Sequence, residues 1–178
     1  GEVRPEDIRE SLQKLIDRHE ILRTAFVMKE GEPVQKILTD VKAEIEVIET
    51  EKTDAEIMNE FIRPFDLDRP PFLRAKLVKR GEENILLFDV HHIVSDGMSQ
   101  NILIEEFTRL YNGEELEPLT HQYKDYSEWM RSRDLSEQAE YWKKEFEEEA
   151  PVLDMPTDYT RPQQQSYAGS VTETKLST

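Results

Sequence analysis

The stretch Asn84–Leu110 limits the fold of this chain more than any other. An unbroken apolar run, Ile85-Leu86-Leu87-Phe88, leads through Asp89 and Val90 into His91-His92-Ile93-Val94-Ser95-Asp96-Gly97. Ile102, Leu103, Glu106, Phe107 and Leu110 then recur at helical spacing, up to the Asn112-Gly113 stop signal. A run of that kind fits a central strand buried on both faces, so the segment predicts strand, loop and helix of an α/β layer.

The flanking sequence supplies the rest of the layer. Residues 5–19 predict an amphipathic helix: Pro5 suits the first turn, Glu6 and Asp7 favour its positive end, and Ile8, Leu12, Leu15 and Ile16 share one face. Leu22–Met28 predicts a strand, joined by a Glu30-Gly31-Glu32-Pro33 turn to a second around Val34–Leu38. Alternation at Ile45 and Val47 predicts a third strand. Thr53 or Asp54 caps a short helix that must end before Pro64. Asp66–Pro71 is a rigid connector, and Phe72–Lys79 pairs with Asn84–Val90 across the Arg80-Gly81-Glu82-Glu83 turn. Further helices are expected near Tyr123–Arg133 and Ser136–Glu149, with Tyr126, Trp129, Tyr141 and Trp142 as core anchors. Val171–Leu176 alternates like a strand.

Composition removes several function classes. The 178 residues suit one sizeable domain, and a net charge of −16 repels phosphate backbones and anionic lipid. Nucleic acid and membranes are therefore not expected partners. With no cysteine there is no disulfide framework, thiolate metal site or cysteine nucleophile. No apolar run approaches the ~20 residues of a bilayer span, and Gly1–Pro5 lacks the apolar region of a secretory signal. A soluble, cytoplasmic protein is the expectation.

The His-His…Asp-Gly segment admits three readings. Both histidines are satisfied packing residues, with Asp96 capping the next helix and Gly97 in a turn; or His and Asp bind a metal; or one histidine is a general base. Neighbours on a strand point to opposite faces, so His91 and His92 should not line one cavity. That divergence disfavours a metal site, for which no ligand set is expected.

The wider sequence favours the third reading. His91–Gly97 reproduces the HHxxxDG signature and so resembles the condensation domains of nonribosomal peptide synthetases. Arg18-His19-Glu20-Ile21-Leu22-Arg23-Thr24-Ala25-Phe26 is similar to that family's RHExLRTxF block. Phe65-Asp66-Leu67 with Pro71–Arg74, Tyr123–Trp129, Gln138…Tyr141-Trp142 and Leu153–Asp158 with Arg161-Pro162 match further blocks in order. HxxxDG alone is shared with chloramphenicol acetyltransferase and related acyltransferases, but the likeness here covers nearly the whole chain.

The resemblance implies a chloramphenicol acetyltransferase-like lobe: a mixed, mostly antiparallel sheet covered by helices, of α/β (α+β) class. The family's opening block has no counterpart, so residues 1–160 are expected to be an N-terminal lobe, with 161–178 an extended crossover towards an absent C-terminal lobe. The implied reaction is attack of an acceptor aminoacyl amine on a donor acyl thioester. Both substrates ride on 4′-phosphopantetheine arms of upstream and downstream peptidyl carrier domains, beside an adenylation domain. The domain itself is expected to bind no cofactor.

By the same resemblance His92 holds the catalytic position, with His91 and Gly97 beside it. His91 serves packing or tautomer control, and the Gly97 N–H can face a developing oxyanion. Asp96 is structural, paired with Arg23, or with Arg18 as the alternative; Ser99 is a possible substrate contact. An imidazole, which titrates near ~6.5 as a free side chain, suits either proton acceptance or orientation of the amine. The isolated chain is expected to be inactive, since half of the tunnel would be absent. Alternatives are another HxxxDG acyltransferase, an epimerisation domain, or a non-catalytic module that docks carrier proteins. Gly97-Met98-Ser99-Gln100 lacks the Trp that often follows Ser in epimerisation domains.

Overall fold

Four side chains of the first helix, Ile8, Leu12, Leu15 and Ile16, lie at 0–1% exposure, and the rest of the core is built around them. In this computed structural model α1 spans Pro5–Arg18, and a 3₁₀ turn, Glu20–Arg23, carries the chain into β1 (Thr24–Lys29). Residues 3–148, 152–166, 169–170 and 172–175 are described. β2 (Glu32–Ile37) returns antiparallel, with Lys29 opposite Glu32. The connection between them is therefore only Glu30-Gly31, and both take positive φ, 54° and 86°. That pair of angles matches the right-handed strand twist, and it is why Pro33 lies within the strand rather than in the turn as expected.

β3 (Ile45–Glu49), α2 (Asp54–Phe61) and β4 (Leu73–Arg80) form a parallel crossover, and β5 (Glu83–Val90) pairs antiparallel with β4. Thr53 caps α2: its hydroxyl accepts from the Glu56 N–H while Glu56 accepts from the Thr53 N–H at 2.9 Å. The three-stranded order is β3-β4-β5. The centre is thus β4, with Leu77 and Val78, on its opposite faces, both at 1% exposure. This corrects the expectation that Asn84–Val90 is the central strand. Among the described residues β5 lies at the edge of this sheet, and its unbroken apolar run arises because helices flank both faces: Leu87 lies near Ile57 of α2, Phe88 near Phe107 further on.

α3 (Gly97–Tyr111) packs on α1 and ends at Gly113, whose φ of 81° and N–H to the Leu110 carbonyl close the helix. α4 is Tyr123–Ser132 and α5 is Ser136–Glu145. Neither has a buried residue, which corrects the expected core role of Tyr126, Trp129, Tyr141 and Trp142. α4 meets the rest of its unit chiefly at the 3₁₀ turn, and its rings lie against one another in tilted contact, Tyr126 to Trp129 at 5.7 Å and 43°.

The chain divides into two compact units, Gly1–Arg133 and Asp134–Thr178. In the second, Trp142 stacks on Phe146 at 6.0 Å, and the described residues beyond α5 carry neither helix nor strand. Val171 and Leu176, the ends of the expected terminal strand, lie outside the described residues. Among those described, no helix is long and apolar enough to cross a membrane.

Candidate active site

β5 ends at Val90, but the ladder continues for one more bond, the His91 N–H donating to the Phe72 carbonyl at 3.0 Å. The chain then folds over. The Val94 N–H and Ser95 hydroxyl both donate to the His91 carbonyl, at 3.1 and 3.3 Å, and Val94 and Ser95 are buried. Because the backbone breaks here, the two histidines have separate environments. His91 sets its ring 5.7 Å from Phe65 and 6.3 Å from Phe72. Its Nδ1 accepts from the Ile93 N–H at 2.9 Å, which leaves the proton of the neutral ring on Nε2.

His92 is exposed and lines an open cavity of ≈ 360 Å³ shared with Ser95, Asp96, Ser99, Ile21 and Tyr123. A separate apolar cavity of ≈ 200 Å³, between Leu15, Phe88, Leu103 and Phe107, contains no titratable side chain. The His92 cavity, by contrast, is lined by an imidazole, a carboxylate and two hydroxyls besides Ile21 and Tyr123. No group of three His, Asp or Glu among the described residues could hold a metal ion.

Asp96 caps α3. Its Oδ1 accepts from the Ser99 N–H at 2.8 Å and the Ser99 hydroxyl at 2.7 Å. Those two bonds hold the Asp96 carboxyl below the usual carboxylate range, with smaller help from the Met98 N–H and from His92. Ser99 thus has a defined structural bond. Gly97 opens the helix, and a Cβ placed on it would meet no heavy atom within 4 Å.

The expected ion pair from Asp96 to Arg23 or Arg18 is corrected by the structure. Arg23 lies at the end of the 3₁₀ turn rather than within a strand, donates to the Leu38 carbonyl at 2.9 Å and faces Glu20 at 3.7 Å. Arg18 is committed to Glu106 of α3 at 3.1 Å and to the Glu117 carbonyl at 2.6 Å. Glu106 takes His19 as well, Nε2 to Oε2 at 2.5 Å. The carboxylate two helical turns beyond Ser99 is therefore the one that engages the Arg18-His19 block. The Asp96 carboxylate is instead stabilised at the start of α3 by Ser99.

Sequence reasoning missed Gln122. Its Oε1 accepts from the Glu20 N–H at 3.1 Å and its Nε2 donates to the Arg18 carbonyl at 2.9 Å, so one side chain ties α4 to both sides of His19. The only local signal is Asp125 three residues on, which accepts from the Gln122 N–H at 2.7 Å. Contacts across a hundred residues leave no periodic trace.

Comparison with known proteins gives a consistent answer. A family profile described as "Condensation domain" matches residues 1–178. The chain is 47% identical over 175 residues to surfactin synthase subunit 1 of Bacillus subtilis (strain 168), covering 95% of this chain and 5% of that protein. It is 49% identical over 165 residues to bacitracin synthase 3 of Bacillus licheniformis, covering 89% of this chain and 3% of that one. Among solved structures, the X-domain from teicoplanin biosynthesis superposes with a TM-score of 0.76 at 24% identity, over 91% of this chain and 40% of that one. The epimerization domain from the third module of tyrocidine synthetase B gives 0.73 at 23% identity, over 89% and 40%. The chain thus spans a small part of the curated relatives it matches.

Proposed function

This chain belongs to the condensation domain family of nonribosomal peptide synthetases, and from that premise we propose that it contributes His92 to peptide-bond formation between two carrier-bound thioesters. The observation that carries the reading is the exposed His92 ring, set beside the Asp96-capped start of α3 and lining an open cavity.

The chemistry follows from what each group can do. The acceptor amine, ordinarily of pKa about 7.7–8.0, reacts as the neutral form. Its lone pair attacks the donor thioester carbonyl, and the carbonyl π pair moves to oxygen. The Gly97 N–H, at the first position of α3, has no acceptor within its own helix and is available to that oxyanion. Collapse breaks the C–S bond. The proton released by the amine passes to the His92 imidazole and on to the departing thiolate, giving an amide and a free phosphopantetheine thiol. His91, held by Phe65, Phe72 and the Ile93 N–H, fixes the backbone from which His92 projects.

On this reading the phosphopantetheine arms belong to upstream and downstream peptidyl carrier domains, an adenylation domain loads them, and a second lobe completes the tunnel. The chain alone would then be inactive. The test is dipeptidyl-carrier formation by the parent synthetase, with carrier loading measured separately. His92→Ala should lower transfer by roughly 10²–10⁴-fold while loading persists. Unchanged transfer would refute the assignment.

A further inference from the structure

Two side chains share the lining of the His92 cavity and belong to neither the signature nor the helix it opens: Ile21, from the 3₁₀ turn, and Tyr123, from the first turn of α4. Resting on the function proposed above, we infer that Ile21 and Tyr123 form a selectivity wall that reads the side chain of an aminoacyl group presented at His92.

The wall is built rather than incidental. Gln122, adjacent to Tyr123, bridges the Arg18 carbonyl and the Glu20 N–H, and Lys124 on its other side reaches Glu20 at 2.7 Å. Tyr123 is therefore fixed between two anchored neighbours, with its ring 6.1 Å from that of Tyr126. Ile21 is positioned independently. It packs against the core cluster, and it separates the His92 cavity from a smaller one of ≈ 120 Å³ lined by His19, Leu22 and Leu103. The Arg18–Glu106–His19 cluster, with side chains only 13–18% exposed, holds that turn against α3.

The wall's chemistry limits what it can select. Ile21 offers a branched aliphatic surface and Tyr123 a half-exposed ring face, and the His92 loop adds Ile93 and Val94 as well as His92, Ser95 and Asp96. A lining with both apolar and polar groups can take the two ends of an aminoacyl thioester. The reacting amine or carbonyl goes to the polar groups and the side chain to the apolar wall. The donor and the acceptor group share this chemistry.

The test uses the parent synthetase with synthetic aminoacyl-carrier thioesters, glycyl through phenylalanyl, varied first as acceptor at fixed donor and then as donor at fixed acceptor. Tyr123→Ala and Ile21→Ala should change the ratio of kcat/KM between large and small side chains by about tenfold or more in one of the two series, and the series that responds identifies the group read. Tyr123→Phe should keep the parent ratio. Gln122→Ala, which alters no cavity atom, should move it in the same sense as Tyr123→Ala, as expected of a positioning residue. A ratio unchanged in both series overturns the inference, whether total activity is kept or falls uniformly. The proposed function stands or falls separately, on His92→Ala.

Discussion

Asp96 and Ser99 meet twice at one oxygen: the Ser99 N–H and hydroxyl both donate to Oδ1 of Asp96, at 2.8 and 2.7 Å. The carboxylate is thereby committed to the start of α3, and the loop carrying His92 ends at a fixed point. A single short-range interaction thus couples the geometry of the site to the stability of a helix that packs on α1.

That coupling has a definite pH dependence. The Asp96 carboxyl titrates below its ordinary value of 3.8 because of the Ser99 bonds. Its contribution to stability is complete above the unfolded-state value and is lost as pH falls through the lower folded-state one. Asp96→Asn keeps an acceptor without the charge, so it should unfold at a lower Tm than the parent at pH 7. The gap should close in acid below about pH 4. Asp96→Ala, which removes the cap entirely, should be the less stable variant at every pH. Thermal unfolding followed by circular dichroism between pH 2.5 and 7 checks the order.

The Glu106 cluster makes a larger contribution. Glu106 is the shared acceptor for Arg18 and His19, and its removal leaves a nearly buried guanidinium without its carboxylate. Glu106→Ala should destabilise the chain by about 3 kcal/mol, and Glu106→Gln, which keeps one acceptor, by less than half of that. Urea unfolding at constant m-value is the measurement.

Elements with a local cause were legible in the sequence. The apolar period of α1, the Thr53–Glu56 box and the Asn112-Gly113 stop each depend on residues within a turn or two of one another. What could not be read depends on which elements become neighbours. Ile85–Phe88 has the composition of a central strand, but only pairing shows that β4 is in the middle and β5 at the edge. Arg18 and Arg23 lie close together in sequence, yet they have different partners, because the α1–α3 contact brings Glu106 rather than Asp96 to Arg18. At the site, His91 and His92 were recognisable as a pair, whereas Tyr123 enters through the Gln122 bridge and Ile21 through its packing on the core.

Phe72 joins packing to chemistry. It is fully buried, touches Phe26 at 5.7 Å and Phe65 at 6.2 Å, and supports the His91 ring. Phe72→Ala should destabilise the chain by about 3–5 kcal/mol through the cavity it leaves. Phe72→Leu should cost less than about 2 kcal/mol. In the parent synthetase Phe72→Leu should still slow transfer, since His91 loses an aromatic neighbour while His92 is untouched. Unfolding and turnover measured on the same variant separate the two effects.

Gly97 allows the requirements of fold and of reaction to be separated at a single atom. Its φ is not in the left-handed region, and a Cβ there meets nothing within 4 Å, so the described chain has no packing reason for glycine. Glycine at a helical position leaves extra freedom in the unfolded chain, so Gly97→Ala should stabilise the fold by about 0.4–1 kcal/mol. If the Gly97 N–H faces the oxyanion, the thioester carbonyl must approach this backbone closely, and a methyl group there intrudes on the approach. Transfer by the parent synthetase should then fall by about tenfold or more, although the protein unfolds at a higher temperature. A variant that is both more stable and fully active would show that the oxyanion forms elsewhere, and would leave glycine at this position without a chemical reason.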